Sequence, residues 1–188
     1  MKSTSSILLS SYLVLASLAA VCTLLKVAQA APATMTNADT IQIVTNNRCN
    51  KDRTIKYTGT YGTVLMDTTT VQAHTSFTQY VKKDQESLAW IIGDPSQGAT
   101  TFDEMEASMK DGVFFYDVSF IQSYTGQAFH VRPIMAQGKD YNEHCAIIGC
   151  DANASMATCP NVYWTDHDGN PDYACQYTEV QGFEINLC

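Results

Sequence analysis

Six cysteines constrain this chain more than any other feature. Cys49 stands alone near the start, while Cys145, Cys150, Cys159, Cys175 and Cys188 crowd the far end. A seventh, Cys22, lies inside an apolar leader. An even cysteine count in an exported chain implies a disulfide framework, here three bridges with fifteen pairings open. Zinc is the rival reading, since His144 and His167 flank the cluster. The C-x4-C-x8-C spacing lacks the C-x2-C pairs of structural zinc sites, so no metal is expected.

Export is read from the first thirty residues. Lys2 gives a positive start, "ILLSSYLVLASLAAVCTLL" an apolar stretch, and "AQA" before Ala31 a small-x-small cleavage pattern. A membrane anchor is the alternative for a run of this length. No second long apolar stretch follows, so residues 1–30 read as a signal peptide and residues 31–188 as one secreted domain. The whole chain has 11 Lys and Arg against 19 Asp and Glu, a net charge of −8. Removing Lys2 and Lys26 with the leader leaves 9 − 19 = −10. Such a surface repels nucleic acid and anionic lipid but not neutral sugars. Asn153-Ala-Ser155 is a glycosylation sequon, which implies an exposed loop.

Local patterning points to strands. "TIQIVTNN" alternates and ends in a turn pair. "RTIKYTGTYGTVLM" is β-branched and aromatic with Gly breaks, and Tyr57, Tyr61 and Phe77 suit strand packing. Val71, Ala73, Thr75 and Phe77 continue a period of two. "ESLAWIIG" stops at Gly-Asp-Pro. "TTFDEMEASM" fits either period and is read as a strand, and the charge run "FDEMEASMKD" as a solvated edge. "VFFYDVSFI" reads as a strand buried on both faces. From about Pro133 the expectation is a disulfide-held loop region that returns to a sheet with "VQGFEINLC". Trp90 and Trp164 are read as core residues more readily than as sugar platforms. The short strands make an all-β sandwich or barrel.

Five segments, in order, resemble the thaumatin-like (osmotin-type) family in a shortened form. They are "IQIVTNNRC"; "FYDVS" with Gly126 and Pro133 after it; "CAIIGCDANASMATCP"; "YWTDHDGNPDYAC"; and "CQYTEVQGFEINLC". The resemblance implies a flattened eleven-strand thaumatin-like β-sandwich lacking most of the family's second domain. It implies a carboxylate-lined cleft built in the family from one arginine, one glutamate and three aspartates. The glutamate stands thirteen residues before the aspartate of "FYDVS", which selects Glu104 and Asp117. The next aspartate position holds Gln122, a departure; the last falls on Asp168 or Asp166. The arginine belongs near "SLAWIIG", which has none. For the bridges the resemblance implies Cys49–Cys188 and Cys145–Cys175, and it leaves Cys150 to pair with Cys159 around the Asn153 sequon.

The function implied is non-enzymatic recognition of cell-wall β-1,3-glucan, or a defence or virulence role at a host–microbe surface. Weak endo-β-1,3-glucanase activity and inhibition of a secreted enzyme through protein binding are the alternatives. No cofactor is expected, and the protein is expected to be a monomer. The bland reading of Asp117 is a buried carboxylate that fixes a turn.

Overall fold

The computed structural model describes residues 39–59, 64–96, 100–169 and 173–188. The leader, the Ala31 start and Tyr61 lie outside these described residues. No helix of the described residues is long and apolar enough to cross a membrane.

Among the described residues there are eleven strands: β1 (Thr40–Asn47), β2 (Arg53–Thr58), β3 (Val64–Val71), β4 (Thr75–Lys82), β5 (Leu88–Gly93), β6 (Phe102–Lys110), β7 (Val113–Ser119), β8 (Phe129–Met135), β9 (Ile148–Cys150), β10 (Tyr173–Gln176) and β11 (Val180–Leu187). They form a five-stranded sheet, β4-β1-β11-β8-β9, and a six-stranded sheet, β10-β7-β6-β5-β2-β3. The β1–β11 pair is parallel.

Alternation builds the core. In β1 every second residue is buried, so Ile41 and Ile43 face inward. Opposite them the six-stranded sheet contributes Ile55, Trp90, Ile92, Met105, Met109, Phe114, Tyr116 and Val118. Trp90 is fully buried, stacks on Tyr57 at 4.8 Å, and donates from Nε1 to Gln79 Oε1 at 3.1 Å. Both indole readings therefore fall to packing: Trp164 lies edge-on to Phe120 and donates to the Cys159 carbonyl at 2.9 Å. At the end of β1, buried Asn47 donates from Nδ2 to the carbonyls of Lys51 and Val71, both at 2.9 Å, and accepts from the Cys49 amide at 3.1 Å. Its side chain thus closes the turn that delivers Cys49.

The bridges are Cys49–Cys188, Cys145–Cys175 and Cys150–Cys159. Every cysteine among the described residues is thereby bonded, which leaves none for a zinc site. Asn153 is exposed with φ of 58° in the loop between Cys150 and Cys159. Asparagine tolerates this left-handed conformation better than most residues.

Three local expectations need correction. The run through Ala73 is broken: β3 ends at Val71, and His74 turns the chain with φ of 59°. The charged run 102–110 is no edge, because β6 lies between β5 and β7. And β7 is not buried on both faces along its length: Phe114, Tyr116 and Val118 are covered on one face, whereas on the other Phe115 is 40% exposed and only Ser119, at the strand's end, is buried.

The stretch after Pro133 also holds more order than expected. Pro133 pairs with Phe183 inside β8. A proline cannot donate to a ladder, so it belongs where one side of a strand is open. β9 covers only Phe129, His130 and Val131, and Pro133 lies beyond it. The loop that follows is tied down through Tyr116. Its hydroxyl donates to the Ala146 carbonyl and accepts from the Ala146 amide at 2.9 Å. Tyr116→Phe would strip both groups of their partner. A loss of about 1 kcal/mol in urea unfolding is expected, together with faster hydrogen exchange at the Ala146 amide. An unchanged exchange rate would show that the bridge at Cys145, not the tyrosine, holds the loop.

Candidate functional site

The outer face of the six-stranded sheet carries the chemistry. Since Met105, Ala107 and Met109 point into the core, Glu104, Glu106 and Ser108 point outward from β6. On β7 the outward residues are Phe115, Asp117 and Ser119. The register sets Glu106 directly opposite Asp117 and Glu104 opposite Ser119. Opposed residues on one face stand about 5 Å apart between Cβ atoms, and diagonal ones such as Glu104 and Asp117 about 7–8 Å. Three carboxyl groups therefore share one small patch. This explains an acidic residue within the "VFFYDVSFI" run: Asp117 is on the face that the core does not use.

A hollow of about 310 Å³ opens here, lined among others by Ser87, Ala89, Glu106, Ser108, Phe115 and Asp117. Asp117 is half-buried, with Oδ1 out of contact with solvent, while Glu106 is exposed. A second hollow of about 380 Å³ lies on the same sheet, where Lys56, Ile91, Phe102 and Gln122 line it. Glu104 sits between the two. Its strand neighbours Glu106 and Phe102 line one hollow each, and its partner across β5 is Ile91.

Glu104 is only 6% exposed. Burial first, and the neighbouring Glu106 second, push its carboxyl pKa up to about 7. Desolvation and a like charge both disfavour the ionised form. At mildly acidic pH the patch thus holds a neutral carboxylic acid, able to donate a hydrogen bond as well as accept one.

The remaining residues singled out from sequence lie elsewhere. Asp168 accepts from the Trp164 amide at 2.6 Å, the Thr165 amide at 2.9 Å and the Thr165 hydroxyl at 2.6 Å. These bonds, the Thr165 hydroxyl foremost, hold its pKa below the usual carboxylate value. Its carboxylate fastens a turn. Asp166 stands at the surface of that turn, 3.6 Å from His167 Nδ1. Neither aspartate lines the hollow at Asp117. The structure therefore brings Glu104 and Asp117 together, sets Gln122 in the second hollow, and leaves Asp166 and Asp168 on a loop. The loop still adjoins the site's strand, since the Phe120 amide donates to the Tyr163 carbonyl at 2.8 Å and the Tyr163 amide to that of Val118 at 2.9 Å.

Glu106 and Phe115 were not singled out from sequence. The signal was available: Met105, Ala107 and Met109 alternate with Glu104, Glu106 and Ser108, which places both glutamates on one face of a strand.

A buried ionic group lies at one end of the sandwich. Arg53, 7% exposed, meets Asp94 at 3.2 Å. Asp103, 3% exposed, accepts from the Thr125 amide at 2.9 Å and from its hydroxyl. Burial outweighs those bonds and raises the Asp103 pKa. These side chains seam β2, β6 and their loops. Among the described residues no group of three or more His, Cys, Asp or Glu is arranged to hold a metal ion.

No family model matches the chain, and none of the curated proteins matches it. Solved structures do. The protein elicitor MoHrip2 from Magnaporthe oryzae aligns with a TM-score of 0.59 at 15% identity, over 79% of this chain and 98% of its own. The thaumatin-like xylanase inhibitor TLXI aligns with a TM-score of 0.50 at 11% identity, over 78% of this chain and 98% of its own. Both neighbours have thaumatin-like folds, and the two sheets and three bridges described above match them in fold, so this chain has the thaumatin-like fold.

Proposed function

We propose that this protein is a secreted, non-enzymatic binder of cell-wall polysaccharide, acting at a host–microbe surface, with β-1,3-glucan as its reference ligand. One observation carries the reading. An exposed aromatic ring, Phe115, stands beside Glu106 and Asp117 in a hollow on a rigid sheet. Sugars present an apolar ring face and a rim of hydroxyls. A ring plus carboxylate acceptors matches both. The net charge of −8 leaves neutral sugars unopposed. The elicitor and the xylanase inhibitor that share the fold are in keeping with a role in defence or inhibition.

Retention on insoluble β-1,3-glucan tests this. The Glu104→Gln, Asp117→Asn double variant is expected to bind about tenfold more weakly, with no loss of stability in urea. Retention equal to wild type would remove the outer face as the glucan site. Failure to fold would instead make Asp117 a structural carboxylate.

A weak endo-β-1,3-glucanase is the second reading, favoured by the raised pKa of Glu104 diagonal to Asp117. Two carboxyl groups on one face, one of them kept protonated near neutrality, are the kind of pair glycoside hydrolysis uses. Release of reducing ends from soluble β-1,3-glucan, abolished by Glu104→Gln, would establish it.

A further inference from the structure

The sequon Asn153-Ala-Ser155 takes no part in the outer face of the six-stranded sheet. It lies inside the ring that Cys150–Cys159 closes. Asn153 and Ser155 are both exposed, and the side-chain amide of Asn153 makes no hydrogen bond with the described residues. The nitrogen that N-glycosylation modifies is therefore open to solvent. Asn153 also lines a hollow of about 560 Å³ with His130, Asp151, Thr158 and Asn161, whose polar groups suit the hydroxyls of an attached sugar. None of these residues lines either hollow of the six-stranded sheet. The loop follows β9, the outermost strand of the five-stranded sheet, and its Met156 is 49% exposed. A hydrated glycan here would screen both the apolar side chain and the strand edge.

The folded loop, however, holds the sequon fast. The Asn153 amide donates to the Gly126 carbonyl at 3.0 Å. The Tyr124 hydroxyl donates to the Asp151 carbonyl at 3.1 Å and accepts from the Ala154 amide at 3.2 Å. Ser155 is committed further. Its amide donates to Thr158 Oγ1 at 2.9 Å, its own hydroxyl lies 3.3 Å from that oxygen, and its carbonyl accepts from the Thr158 and Cys159 amides, both at 2.9 Å. A transferase that reads the asparagine and the hydroxyl two residues on needs a free segment, which this ring does not offer. The ring also closes early. Its cysteines stand 9 positions apart, against 30 and 139 for the other bridges, so its thiols meet most readily in the unfolded chain.

We propose that Asn153 carries an N-linked glycan, and that transfer must precede closure of Cys150–Cys159, so the two reactions compete and the secreted protein is a mixture of glycosylated and bare chains. In the transfer, Asn153 Nδ2 bonds to the anomeric carbon of a lipid-diphosphate-linked oligosaccharide. The bond from that carbon to the diphosphate breaks, the diphosphate leaves with the electron pair, and Nδ2 gives up one proton. In the competing step the two thiols pass two electrons and two protons to a disulfide of the secretory compartment. The proposal rests on the export part of the reading above and is independent of the ligand.

Intact mass of the full chain secreted by yeast, before and after peptide-N-glycosidase, decides it. Part of the wild-type protein is expected to lose one glycan on treatment, leaving aspartate at position 153. Ser155→Ala, which keeps the asparagine, is expected to lose the glycan entirely. Cys150→Ala with Cys159→Ala is expected to raise the occupied fraction roughly twofold, because the rival step is gone. Dithiothreitol in the medium delays closure with no substitution, and wild-type chains recovered from those cells are expected to show the same rise, which keeps the competition testable if the alanine pair is not secreted. Secreted wild-type protein with no glycan at Asn153 overturns the proposal and leaves export standing. Occupancy unchanged by both bridge removal and dithiothreitol overturns the competition. Wild-type chain that never reaches the medium overturns the export reading and the proposal with it.

Discussion

Replacing Cys49 and Cys188 by alanine is expected to cost roughly 4–5 kcal/mol of stability, the largest loss from any of the three bridges. This bridge joins positions 139 apart, against 30 for Cys145–Cys175 and 9 for Cys150–Cys159. On the chain-entropy model, a cross-link restricts the unfolded ensemble more as its loop lengthens. The native side adds to this. Cys49 is buried and follows Asn47, whose register partner in β11 is Leu187. The bridge thus fastens the end of a ladder already formed, with little further ordering needed. Unfolding in guanidinium, comparing the three paired Cys→Ala variants, measures the order. A variant lacking Cys150–Cys159 that is as unstable as one lacking Cys49–Cys188 would show that loop length is not what governs these bridges.

Glu104→Gln is expected to stabilise the protein at pH 8 by about 2 kcal/mol, and to do little at pH 4.5. The sign follows from the raised pKa. In the unfolded chain a glutamate titrates near 4.5, whereas in the folded state Glu104 does so at about 7. Between those values the folded state holds a proton that the unfolded state has lost. Stability from this group is therefore full below about pH 4.5 and drains away as pH rises through 7. Glutamine keeps the shape and removes the charge, so it recovers the loss only at high pH. For a domain of this size the gain corresponds to about 4–8 °C in melting temperature. Melting curves of both proteins from pH 4 to 8 provide the check. A glutamine variant that melts lower at pH 8 would mean the ionised carboxylate is held by favourable contacts. Under the proposed glucan reading the same substitution weakens binding, so a gain in stability together with a loss of retention on glucan is the expected joint result.

How much of this was legible in the sequence depends on which face a residue occupies. β1 was plain because Ile41 and Ile43 alternate with polar residues over one half-buried strand. The pairing of cysteines was not a matter of spacing. Six allow fifteen arrangements, and the family resemblance selected the one observed. β8 was hidden by Pro133, since a proline argues against a strand unless the neighbouring strand is known to stop short of it. β7 misled for a different reason. Phe115 is apolar yet faces outward, so a run of aromatics read as two buried faces. That error and the neglect of Glu106 share a cause. A single strand shows two faces but not which of them the opposite sheet will cover. For Asp166 and Asp168, order along the chain suggested a cleft position, while three short hydrogen bonds to Trp164 and Thr165 commit Asp168 to its own loop.

The parallel pairing of β1 with β11 has a bearing on how such a chain is made. The first and last strands are neighbours in the interior of the five-stranded sheet, flanked by β4 and β8. The sheet cannot close around its own middle until residues 180–187 have left the ribosome. Contacts of such long sequence separation form late and slowly. While β11 is absent the chain lacks the strand that joins β1 to β8. The bridge from Cys49 to Cys188 fastens the ends of the same β1–β11 pair, so it can close in its native place only once that late pairing has formed.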